Sequence, residues 1–171
     1  MIFRKKFGPL LGSGPMRKQI CGASVMFLLL LVLVGPAQGA SLTHREKALV
    51  KAVNQVRKAH RVRPLRVDFR LVRAARAHTI TMLRINALTH GSFGARLASS
   101  GARGPHFGEN LAFGTGSLAS APAVVRAWLA SPGHRANLLR PGFRRIGLGA
   151  RADSFAGHQS AVVVTADFAG R

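Results

Sequence analysis

Two imidazoles and one carboxylate stand apart from the other ionisable groups of this sequence. His90 and His134 lie near glycine and serine in loop or turn contexts. Glu109 lies between Gly108 and Asn110, in a segment expected to turn, where a glycine lets the backbone approach another segment closely. Two neutral imidazoles and a carboxylate could hold a divalent cation such as zinc with a position left for water, or could work as acid–base partners. The remaining histidines offer less. His78 falls on the apolar face of a helix four residues before Met82, where a hydrogen-bonded packing role is expected, and His44, His60 and His106 have no local pattern. His158 sits beside Gln159 in an expected hairpin turn exposed to solvent. Ser92 lies near His90, but no pattern places an acid behind them, so a nucleophilic triad is not expected.

Several elements must position these groups. Thr43 and Glu46 have the spacing of a capping box, and Leu49, Val50, Val53 and Val56 follow at helical intervals until His60 to Pro64 end the helix. Asp68 can cap a second helix whose Leu71, Ala74, Ala75, His78 and Met82 share a face. Between Ala87 and Gly108 no period is sustained, and a long loop is expected. A third helix is expected over 121–130, broken by Ser131-Pro132-Gly133, with a short helical turn from His134 to Leu139. Residues 146–150 and 161–168 read as two antiparallel strands joined by a turn-like stretch from Ala152 to Gln159. Helices first and strands mostly last predict an α+β domain with helices on a small antiparallel sheet.

Composition frames the rest. The chain has 171 residues and one cysteine, Cys21, so no disulfide staples its fold. Residues 1–39 have the anatomy of a signal peptide: basic Arg4, Lys5, Lys6, Arg17 and Lys18, an apolar run from Val25 to Val34, then small residues at Ala37 and Gly39 before a cut at Ala40. Met16 is an alternative start. The apolar run is shorter than the roughly 20 residues of a membrane span, and an uncleaved leader would make it an N-terminal anchor. Residues 40–171 are then one domain, expected as a monomer. After residue 39, 21 Lys and Arg stand against five acids, an excess of 16, and all but three of the 21 are arginine. Anionic envelope polymers or lipids suit such a surface, as does a protein partner of unknown identity. No RNA- or DNA-binding motif accompanies the charge.

The spelling of the chain adds to this. Asn54-Gln55-Val56-Arg57, Ala77-His78 with Met82, Thr89-His90-Gly91-Ser92, Gly108-Glu109-Asn110-Leu111 and Val125 with Trp128 occur in order. Ser131-Pro132-Gly133-His134-Arg135-Ala136-Asn137-Leu138-Leu139 and Phe143-Arg144-Arg145-Ile146-Gly147-Leu148-Gly149 complete the series. From Leu42 to Phe168 the sequence resembles the bacterial branch of the CAP superfamily, named for cysteine-rich secretory, antigen five and pathogenesis-related proteins. The resemblance implies an α-β-α sandwich with a central antiparallel sheet between helical layers, in an extracytoplasmic protein. It also implies a cleft of two histidines and two glutamates, in some members holding a divalent metal. His90, Glu109 and His134 match three positions, whereas the second glutamate falls on Ser131, which cannot act as a carboxylate base. Asn54 and Arg57 are expected to brace the first helix against a loop, Asn110 and Asn137 to satisfy turn backbones, and Trp128 to fill core with its N–H bonded. Arg135 is placed at the cleft rim.

Three functions fit these residues. The first is a secreted binding module with a His/Glu cleft for a divalent cation or small ligand and a basic surface for anionic envelope components. The second is a metal-assisted, peptidase-like hydrolase with Glu109 as acid or base. The third is a cationic membrane-active or antimicrobial protein.

Overall fold

The computed structural model describes residues 41–171. The expected signal peptide, its cut before Ala40, and Met16 as a start lie outside the described residues. Helix α1 (His44–Ala59) begins on the expected capping box: Thr43 Oγ1 accepts from Glu46 N, and Glu46 Oε2 accepts from Thr43 N at 2.8 Å. Helix α2 (Phe69–Ile85) is capped by Asp68, whose Oδ1 accepts from Arg70 N, and it ends at Asn86 in the left-handed region. Helix α3 (Phe93–Ser99) occupies the stretch expected to be a long loop. A 3-10 turn (Gly116–Ala119), not expected from the sequence, precedes α4 (Ala121–Ala130), which has the expected bounds, and α5 (Pro132–Leu139), which starts two residues before the expected helical turn.

The strands are longer and more numerous than expected. β1 (Arg66–Val67) and β2 (Phe107–Gly114) join β3 (Phe143–Phe155) and β4 (His158–Gly170) in a sheet ordered β1-β3-β4-β2. The stretch from Ala152 to Gln159 is mostly strand rather than turn. The reversal itself is Ala156-Gly157, both with positive φ, as a tight hairpin needs. The sheet is antiparallel except where β1 runs parallel to β3, so it is mixed.

Cross-strand partners share a face, and this sorts the layers. Ala166, Phe168, Ile146 and Leu148 face α1, α4 and α5, where Leu49, Val53, Val124, Trp128 and Leu138 complete the main core. On the opposite face α2 and α3 cover Leu111, Val163 and Ala169 with Met82, Leu71 and Leu97. The result is an α-β-α sandwich. Two glycines set its thickness on the second side: a Cβ on Gly147 would lie 2.1 Å from the Leu71 carbonyl carbon, and one on Gly149 would lie 2.5 Å from that of Ala75. Without side chains there, the backbone of α2 lies directly on β3.

Candidate functional site

Glu109 is not in a turn but near the start of β2, paired across the sheet with Asp167 of β4. The expected close approach is nevertheless present one residue earlier. A Cβ on Gly108 would stand 2.7 Å from Asn137 Oδ1 and 2.8 Å from the Phe143 ring. This lets α5 settle against β2, an edge strand with only β4 beside it. Asn137 Nδ2 donates to the Glu109 carbonyl at 3.1 Å and to Asn110 Oδ1 at 3.1 Å, and Asn110 Nδ2 donates to the His134 carbonyl at 2.9 Å. Trp128 Nε1 donates to the Leu111 carbonyl at 2.9 Å, so α4 and α5 together take up main-chain acceptors of the edge strand.

On the α2/α3 side the Glu109 carboxylate is nearly inaccessible, and both oxygens are engaged. His90 Nδ1 lies 2.7 Å from Oε1, and Arg96 of α3 donates to Oε2. His90 itself is open to solvent, its side chain 61% exposed. His78 of α2 is buried and donates from Nε2 to the Thr89 carbonyl at 2.7 Å, which fixes the residue immediately before His90; the same nitrogen is 3.8 Å from Glu109 Oε2. Burial first, and the charge of Arg96 second, hold His78 below the usual imidazole range. His134 is also held low, by burial and then by the charge of His90, so the two site histidines are electrostatic neighbours.

Sequence reasoning missed two members of this cluster. Arg96 lay hidden among many arginines. Asp167 carried a signal: it is the one acid inside the apolar run from Ala161 to Phe168. It is fully buried, and among the described residues no donor reaches either oxygen; the Arg96 guanidinium stands 4.0 Å away. Burial, and then the charge of Glu109, push the Asp167 carboxyl up to about 8 against the opposing pull of Arg96.

The other expected residues divide. Ser131 ends α4 and starts α5 with extended backbone, and its hydroxyl caps neither helix. Arg135 is exposed on α5 and makes no ion pair with Glu109 among the described residues; Arg96 holds that place. Asn54 exchanges two hydrogen bonds with the backbone of Leu65. Arg57, fully buried, donates to the carbonyls of Arg63, Leu138, Arg140 and Phe143. Both brace α1 against the chain that follows it, away from the histidines.

His90 is the imidazole of this cluster that is open to a ligand, its side chain 61% exposed. With Nδ1 turned to Glu109, His90 presents Nε2 outward, the orientation a carboxylate imposes on a metal-binding histidine. No group of three or more His, Cys, Asp or Glu side chains is gathered to hold a metal among the described residues. A groove of about 510 Å³ between α2 and α3 opens beside it, with His78, Thr89, Gly91 and Arg96 along its wall.

Residues 50–168 match the model of the cysteine-rich secretory protein family, CAP, and the chain belongs to that family. Protein YkwD of Bacillus subtilis is 35% identical over 115 residues, covering 64% of this chain and 44% of its own length. An extracellular protein of Bacillus anthracis containing an SCP domain superposes with a TM-score of 0.63 at 24% identity, covering 77% of this chain and 45% of that one. An outer surface protein of Borrelia burgdorferi gives 0.60 at 23% identity, covering 77% of this chain and 97% of that one. The chain thus spans less than half of YkwD and of the Bacillus anthracis chain. These structural likenesses establish the fold. Among the described residues no helix is long and apolar enough to cross a membrane.

Proposed function

We propose that this chain is an exported CAP-domain binding protein in which His90 and His134 hold a divalent cation, zinc by chemistry, or a small polar ligand in its place. Its excess of arginine draws it to anionic partners outside the cell. The observation that carries the reading is the 2.7 Å contact between His90 Nδ1 and Glu109 Oε1, which leaves Nε2 directed outward on an exposed ring near a second imidazole. A bound divalent ion would supply a Lewis-acidic centre there. Glu109 orients His90, Arg96 balances the carboxylate, and Asn110 anchors the backbone of His134.

Two features favour binding over turnover. Both Glu109 oxygens already accept, which leaves its carboxylate poorly placed to take a substrate proton. The α4–α5 junction carries Ser131 instead of a second carboxylate. Export is supported by the signal-peptide anatomy of residues 1–39 and by the extracellular and outer-surface descriptions of two structural neighbours.

Calorimetric titration of zinc into the metal-free protein and into the His90→Ala/His134→Ala variant tests this. One ion bound by the wild type and none by the variant is expected. Identical heats from both proteins would refute it.

A further inference from the structure

A cluster of arginines lies at the other edge of the sheet. Arg63, Arg66, Arg144, Arg145 and Arg171, with Pro64 and Leu65, line a cleft of about 440 Å³. The parallel pairing of β1 with β3 sets Arg66 directly across from Arg145, and like charges opposed across strands are destabilising. Asp68 answers one of the two, accepting from Arg145 at 2.8 Å. Arg144 donates to the backbone carbonyls of Pro141 and Phe143, which leave its charge unbalanced. The side chains of Arg63, Arg66 and Arg171 make no ion pair or hydrogen bond among the described residues. Behind the cleft, burial and then the charge of Arg144 bring the Arg57 guanidinium down to about 10, so the local field reaches the interior.

Such a cluster opposes folding unless an anion offsets it. Guanidinium forks match pairs of phosphate oxygens. Arg145 is answered by Asp68, but the other four guanidinium groups along one trough exceed what a single phosphate can balance, which points to successive phosphates on one chain. None of the lining residues is an exposed large hydrophobic or an aromatic, so the cleft lacks both a wedge for a bilayer and a platform for stacked bases. Its concavity also suits a strand better than a flat surface.

We propose that this cleft binds a linear polymer carrying repeated phosphate groups, recognised by its phosphates alone. The inference rests on the reading that the basic surface takes an anionic partner and is independent of the histidine pair.

The test follows the anisotropy of end-labelled inorganic polyphosphate titrated with the protein at low and at near-physiological salt. Two variants accompany the wild type. Arg63→Gln/Arg66→Gln breaks no side-chain hydrogen bond or ion pair among the described residues, and Lys51→Gln/Lys58→Gln removes the same charge from the exposed face of α1. Circular dichroism verifies that both stay folded. The expected result is wild-type binding that weakens steeply with salt, a loss of about tenfold or more in the cleft variant, and a loss under about threefold in the control. Poly-glutamate of matched length is expected to bind about tenfold more weakly than polyphosphate. Equal losses in the two variants would overturn the cleft while leaving a diffuse basic surface, and no binding by the wild type at low salt would overturn both. Poly-glutamate binding as tight as polyphosphate would remove phosphate recognition. Phosphatidylglycerol vesicles bound in preference to polyphosphate would reassign the cleft to lipid and overturn the polymer.

Discussion

Glu109, Asp167 and Arg96 place two carboxylates and one guanidinium on the covered face of the sheet, and their charges do not balance unless one acid is neutral. Asp167 is the neutral one, its carboxyl pushed up to about 8 by burial and by Glu109. An unfolded aspartate titrates near 3.9, so between about pH 4 and pH 8 the folded state holds a proton that the unfolded state has released. Stability from this group is therefore full below about pH 4 and is lost as pH rises toward 8. Urea unfolding should show Asp167→Asn removing that slope and gaining on the order of 2 kcal/mol or more over wild type at pH 9. Arg96→Met should cost about 3 kcal/mol at pH 7, because it strands a buried carboxylate. The sequence singled out His90, Glu109 and His134 by their types and neighbours, and the structure brings the first two into contact. Arg96 was not singled out, since one arginine among eighteen after residue 39 carries no distinguishing pattern.

Elements with strong local signals were read from the sequence with accurate bounds. The capping box of α1 and the Pro-Gly break after α4 are local, so they survive without tertiary information. Helix α3 was not visible because its seven residues bury only Leu97. Strand β2 was hidden for a different reason. Glu109 on one face and Asn110 on the other interrupt its alternation, and both are buried because tertiary partners satisfy them. The ends of β3 and β4 beside the hairpin, residues 151–154 and 158–160, are exposed and mostly polar, so they read as turn. The glycines of the Ile146-Gly147-Leu148-Gly149 stretch hold α2 against β3. Gly147→Ala should therefore destabilise by about 3 kcal/mol in thermal or urea unfolding. Gly133→Ala, within α5 with nothing near its Cβ, should stay within about 0.5 kcal/mol of wild type.

At the scale of the whole molecule, the sandwich puts the two proposed sites at opposite edges of one sheet, His90 beside β2 and the arginine cleft beside β1. An excess of positive charge opposes compactness through self-repulsion that salt screens, so the melting temperature should rise between 20 and 300 mM NaCl, on the order of a few degrees. Zinc affinity should fall as pH drops, because protons compete for the imidazoles, with His134 losing its metal-binding form below the usual imidazole range. The most direct measurement is of the imidazole nitrogens themselves, by long-range proton–nitrogen NMR on the protein with and without zinc. The structure predicts that the metal shifts His90 Nε2 and one nitrogen of His134, while His90 Nδ1 keeps its proton toward Glu109. Shifts confined to other histidines, or a metal on His90 Nδ1, would contradict it.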